Sequence, residues 1–214
     1  MASRSVASAV GAGRPRLLVA TRSEHKLREL RELLSLEHAE LVSLDDLGVF
    51  DDPIEDGQTF EANAAIKARA GLTATGLPTL ADDSGIEVDA LDGGPGVRTR
   101  RYAGEDATDA GNNAKLLAAL DRLPPERRGA RYVCVLALAV PGATLRFERG
   151  VCRGRIATEP RGTGGFGYDP IFEPEEEPPR GRTFGQWAPE EKNRISHRAR
   201  AARAMAPHLA ALGF

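Results

Sequence analysis

Residues 16–34 read RLLVATRSEHKLRELRELL. RLLVA at 16–20 is an apolar run of strand length, Thr21, Arg22 and Ser23 interrupt it, and Leu27, Leu30, Leu33 and Leu34 then recur on one helical face. The unit is strand, loop, helix, and Ser23 is a candidate N-cap because its hydroxyl can accept a backbone N–H of the first turn. A second helix begins near Thr59 in TFEANAAIKARAGLTA, with Glu61 in its first turn and Gly71 or Gly76 near its end. Residues 77–81 (LPTLA) read as a strand, Asp82, Asp83, Ser84 and Gly85 as a turn, and Ile86 and Val88, alternating with Glu87 and Asp89, as the next strand. A third helix is expected over 109–120. RYVCVLALAV at 131–140 and LRFERGVCRGRI at 145–156 then form a hairpin around Pro141-Gly142. Residues 173–182 are a Pro and Glu-rich surface loop, and Ser196 opens a last helix that is kinked or broken near Pro207. Strands interleaved with helices, plus one antiparallel hairpin, imply an α/β fold on a mixed central sheet.

Composition narrows the partners. With 29 Lys and Arg against 31 Asp and Glu, the net charge of -2 supplies no global field to draw the chain onto nucleic acid or an anionic membrane, so any anion must be held by a local cluster. No apolar run approaches the roughly 20 residues that span a bilayer. The opening MASRSVASAVGAGRPR lacks the roughly 7–15-residue apolar h-region of a secretory signal, and residues 1–15 are expected to be a disordered tail before a single domain over 16–214. A two-residue turn in the hairpin would set Cys134 opposite Arg149 and Cys152 opposite Arg131, with the thiols on opposite sheet faces and no disulfide. Unpaired cysteines agree with a reducing, cytoplasmic location.

Four segments can carry chemistry. Thr21, Arg22, Ser23, Glu24, His25 and Lys26 stand where a strand hands over to a helix, where free N–H groups and an ammonium suit a phosphate chain; read alone, the segment is equally an ordinary N-cap. It is no P-loop, which needs G-x-x-x-x-G-K-[ST]. Asp82 and Asp83, with Glu55 and Asp56 upstream, are adjacent carboxylates that repel each other, so they belong either in water or around a hard cation such as Mg²⁺. GTGGFGYDP at 162–170 contains G-x-G-x-x-G, but Pro170 forces Asp169 away from helical angles, so no dinucleotide fingerprint forms; what remains is a Gly-rich loop offering Phe166 to a flat base, or a hairpin turn with Phe166 in the core. KNRISHR at 192–198 places Lys192, His197 and Arg198 at a helix start, as phosphate and carbonyl donors or as a solvated basic turn. No Cys or His pair has zinc spacing.

TLADDSGIEVDAL, GTGGFGYDPIF and EEKNRISHR, in this order and with the TRSEHK loop ahead of them, resemble the inosine and xanthosine triphosphate pyrophosphatase family from Leu17 to about Ala202. The resemblance implies a long mixed sheet between two α/β lobes with the active site in the cleft, and a homodimer. It also implies Mg²⁺-dependent hydrolysis of non-standard purine nucleoside triphosphates (ITP, dITP, XTP) to the monophosphate and pyrophosphate. By the same resemblance the loop from Thr21 to Lys26, Lys67 and Lys192 hold phosphates, Glu55 and Asp83 hold the metal, and Asp83 activates water. Ser84 and Gly167 join the substrate contacts, and Phe166, Tyr168, Asp169, His197 and Arg198 form the base pocket. One departure stands out: Ser23 replaces the family's asparagine, and Arg22 replaces a small residue. Donors from His197 and Arg198 favour a 6-oxo purine over adenine, but GTP is also 6-oxo, so guanine must be rejected around position 2. The competing readings are a Maf-like pyrophosphatase of other nucleotides, against which Ser-His-Arg speaks, and a non-catalytic nucleotide or RNA-binding protein, against which the Asp pair and the charge balance speak.

Overall fold

The computed structural model describes residues 14–214, so most of the expected tail lies outside the described residues. β1 (Arg16–Ala20), α1 (Glu24–Leu34) and β2 (Glu40–Ser43) build the first unit as expected. Ser23 caps α1, its Oγ accepting Lys26 N at 3.4 Å. α2 (Phe60–Thr75) starts on Thr59 and stops at Gly76, whose φ of 70° is the left-handed value a helix terminator needs. β3 (Thr79–Val88), α3 (Asp109–Ala119), β4 (Gly129–Ala139), β5 (Arg146–Ile156), β6 (Phe172–Pro174), α4 (Pro189–Ile195) and α5 (His197–Ala210) follow. The six strands form one mixed sheet in the order β2-β1-β3-β4-β5-β6, with β1 parallel to both neighbours and every pair from β3 to β6 antiparallel.

Four expectations are corrected. Asp82 to Gly85 is not a turn but the middle of β3, held there by unbroken pairing with β4 from Thr79↔Ala139 to Val88↔Ala130. The hairpin loop is longer than two residues: Cys134 faces Gly150 and Cys152 faces Tyr132, a register one residue away from the expected one. One residue of slip flips a strand, so the two cysteines share a face. They sit two positions apart along it, beyond disulfide reach, and both are free and buried. The 173–182 segment is not all surface loop, because Glu173 lies in β6 with 3% exposure and binds Arg155 and Arg161. α5 runs through Pro207 unbroken to Ala210.

Side-chain alternation divides the core. On one face, Leu80, Cys134, Leu136 and Leu138 pack with Leu30 of α1 and Ala201 and Met205 of α5. Further along the same face, Ile86, Val88, Ala130 and Tyr132 pack with Leu116 of α3 and with Phe172 and Phe184. Asp82 and Ser84 fall between these two clusters, so the one polar interval of β3 marks the gap between two apolar lobes. On the opposite face Ala81, Val133, Val135 and Ala137 pack against Phe60, Ala64 and Ala68 of α2. Gly150 lets α5 lie on β5, since a Cβ there would stand 2.0 Å from the His197 carbonyl oxygen and 2.5 Å from Ala201 N. No helix among the described residues is long and apolar enough to cross a membrane.

Candidate active site

β1 pairs only with the first three residues of β3, ending at Ala20↔Ala81. Beyond that point no strand pairs with β3 on the β1 side, where Glu87 further on bridges only Pro95, and the turn into α1 leads away. A cleft of about 1040 Å³ opens along this edge before the bridge, and the loop over residues 21–26, Glu55, Lys67, Asp83, Ser84, the loop over residues 166–169, Lys192, His197 and Arg198 line it, whereas Asp56 and Asp82 do not. That volume is at the upper end for small-molecule sites and suits a nucleotide with its phosphates.

One end of the cleft is ionic. Lys26 Nζ stands 2.6 Å from Asp82 Oδ1, and Lys67 Nζ stands 2.7 Å from Asp83 Oδ1 and 3.0 Å from Glu55 Oε2. The two aspartates are neither in water nor around a common cation, which corrects the expectation: adjacent in sequence, they project to opposite faces of β3. Asp82 is 1% exposed and does not line the cleft. Burial alone would raise its pKa, but Arg198 and Lys26 outweigh burial and hold it well below the usual carboxylate range. For Asp83 burial outweighs the pull of Lys67 and Lys26, and its pKa is raised. Lys67 is buried too, yet its two carboxylate partners raise its pKa and keep it an ammonium. Among the described residues no group of three His, Cys, Asp or Glu assembles to hold a metal. Glu55 and Asp83 nevertheless converge on one cationic atom, and two hard-oxygen ligands are the number a substrate-bridging Mg²⁺ takes from protein.

Arg22 spends its donors outside its own loop. Its Nε donates to Asp52 at 2.9 Å, and its terminal nitrogens donate to Asp45 and to the Val49 carbonyl at 2.7 Å each. It ties down the segment without regular structure that carries Glu55. Glu24 and His25 are exposed in the first turn of α1, and the His25 ring stacks on Phe166 at 5.0 Å and 9°.

The other end is aromatic and buried. Gly165 has φ +70°, and a Cβ there would lie 2.0 Å from Asp169 Oδ2, so the loop closes tightly on this carboxylate. Asp169 accepts Phe166 N at 3.0 Å, Lys192 Nζ at 2.7 Å and Tyr132 OH at 3.2 Å. The tip is pinned by Gly167 N donating to Asp109 and by Tyr168 OH donating to the Thr99 carbonyl. Lys192, expected at the phosphates, is instead at this end: it is 5% exposed, lies 4.9 Å over the Phe166 ring and bonds Glu29 and Asp169. Its reach is spent on two carboxylates near the aromatic ring, while Lys26 and Lys67 serve the ionic end.

Ser196 caps α5, accepting Ala199 N at 3.2 Å, and so presents His197 and Arg198 at the lobe junction. Arg198 donates to Asp82 (2.9 Å), Ser84 (3.0 Å) and Glu29. Burial, then Arg198 and Lys192, push the His197 pKa well down, so the ring is neutral. Its Nδ1 is a buried nitrogen without a partner, and its ring stacks on Tyr132 at 4.6 Å and 8°. Two residues escaped the sequence reading. Glu29, a charged residue among the leucines of α1, is buried and takes Lys192 and Arg198. Tyr132 carried only the weak signal of a polar-tipped ring in an apolar strand.

The model of the Ham1 family matches residues 17–208. The dITP/XTP pyrophosphatase of Nocardia farcinica is 50% identical over 200 residues, covering 92% of this chain and 96% of that protein. The dITP/XTP pyrophosphatase of Geobacter sulfurreducens is 49% identical over 194 residues, covering 91% and 96%. The solved structure of a HAM1 protein from Coxiella burnetii superposes with a TM-score of 0.82 at 41% identity, covering 92% of this chain and 98% of that one.

Proposed function

The chain belongs to the Ham1 family, and from that premise we propose that it hydrolyses non-standard purine nucleoside triphosphates, dITP or ITP and XTP, to the monophosphate and pyrophosphate. The observation that carries the reading is the division of one cleft into an ionic end with Lys26, Lys67, Glu55 and Asp83 and a buried end with Phe166, His197 and Arg198. A nucleotide has the same two halves.

In this reading Lys26 and Lys67 neutralise the phosphate chain, and the α1 N-terminus adds backbone donors. Glu55 and Asp83 would hold a magnesium ion, which when bound supplies charge neutralisation and a lowered water pKa. Asp83 takes a proton from the attacking water. The new bond forms at the α-phosphorus, the α–β bridging bond breaks, and pyrophosphate leaves. Asp82, always ionised, anchors Lys26 and Arg198 and takes no part in proton transfer. The base lies against Phe166, with the 6-oxo group toward His197 and Arg198. The working form is a cytoplasmic homodimer of single-domain chains, with neither nucleic acid nor membrane as partner.

The test is product analysis with ITP, dITP, XTP, ATP, GTP and dTTP in Mg²⁺. Pyrophosphate release with preference for the first three is expected. Orthophosphate release from the γ position, or equal rates on ATP, would refute the reading.

A further inference from the structure

Two side chains of α3 meet the tip of the Gly-rich loop at a single residue. Asp109 and Asn113 stand four positions apart, which puts them on one face of the helix, and both reach Gly167. Gly167 N donates to Asp109 Oδ2 at 2.7 Å, and Asn113 Nδ2 donates to the Gly167 carbonyl at 3.1 Å. Gly167 has φ +62°, an angle glycine adopts without strain and could as readily leave. Phe166 N and Tyr168 OH are tied down on either side, to Asp169 and to the Thr99 carbonyl, and α3 holds the glycine between them. Asn113 is the more telling of the pair. It is 6% exposed, yet its Oδ1 is buried without a partner. A buried oxygen left unpaired costs stability, so folding alone does not account for an amide here, and the bond this amide does make is to Gly167.

We propose that Asp109 and Asn113 are positioning residues of the base end: they clamp Gly167 from α3 and thereby set the orientation of the adjacent Phe166 ring before a base arrives. The inference rests on the pyrophosphatase reading above. Releasing the clamp leaves the ionic end, with Lys26 and Lys67, as it was. It lowers only the fraction of molecules in which Phe166 is placed to stack, and the apparent affinity for a base falls by that fraction.

Asp109→Ala removes the acceptor of the Gly167 N–H, whereas Asp109→Asn keeps one in its amide oxygen, and both remove the charge. Asn113→Leu removes the donor together with the unpaired oxygen. Calorimetric titration with IMP and with pyrophosphate reads the two ends of the cleft separately. Asp109→Ala and Asn113→Leu are expected to bind IMP about 2–12-fold more weakly, the worth of one hydrogen bond, with pyrophosphate affinity unchanged and Asp109→Asn close to wild type. A purely structural role would weaken both ligands together. Equal losses for IMP and pyrophosphate, unchanged IMP affinity, or a loss in Asp109→Asn as large as in Asp109→Ala overturns the inference and leaves the pyrophosphatase reading intact. A wild-type enzyme that releases no pyrophosphate from ITP and XTP overturns that reading, and this inference with it.

Discussion

Arg198→Ala should destabilise the protein far more than a surface arginine change. Arg198 has a side-chain exposure of 1% and bridges Asp82 and Glu29, themselves 0% and 11% exposed. Truncation leaves Asp82 with Lys26 at 2.6 Å and Glu29 with Lys192 at 3.0 Å, so each carboxylate keeps one cation and loses one. Breaking a buried pair from one side costs about 3–5 kcal/mol, a large part of the roughly 5–15 kcal/mol that holds a domain folded. For a chain of this length that corresponds to a fall in Tm of about 6–20 °C. The pH dependence gives an independent check. Against burial, Arg198 with Lys26 or Lys192 depresses the folded pKa of both carboxylates. Their contribution is therefore complete above the unfolded carboxylate value of about 4 and is lost as pH falls through the lower folded values. In the variant burial is opposed by fewer cations, both folded pKa values rise towards the unfolded one, and less stability is lost on acidification than in wild type. Urea denaturation from about pH 2 to 7 measures this, with Arg194→Ala, at an exposed position of α4, as control. A loss under about 1 kcal/mol at neutral pH, or the same pH profile as wild type, refutes the buried network as a source of stability.

Asp83→Asn keeps the volume and removes the charge. Turnover of ITP should fall by about 10² to 10⁴-fold with nucleotide affinity retained, and near-normal turnover would move the base assignment elsewhere. Arg22→Ala removes three donors whose carboxylate partners are mostly exposed, so stability should change by under about 1 kcal/mol. Amide exchange across residues 49–58 should nevertheless accelerate, and unchanged protection there would show that Arg22 does not hold this segment.

What the sequence determined by itself was local. Ser23, Thr59 with Gly76, and Ser196 are capping residues whose side chains or backbone angles act within a few positions, so three helix starts and one helix end could be read directly. The four motifs do converge, since each contributes residues to one cleft, although Asp82 lies outside its lining. Tertiary structure decided what each charge does. Asp82 and Asp83 look equivalent in the chain, yet strand alternation sends one into the ion pairs of α1 and α5 and the other to Lys67 and the cleft. The partners of Arg198 lie 116 and 169 positions away, and those of Lys192 lie 163 and 23 positions away. No local pattern encodes such separations. The hairpin register likewise followed from a loop longer than the Pro-Gly dipeptide implied, and one residue of slip was enough to put both cysteines on one face. Capping and periodicity act within a turn of chain, whereas a buried charge takes its role from whichever opposite charge the completed fold brings to it.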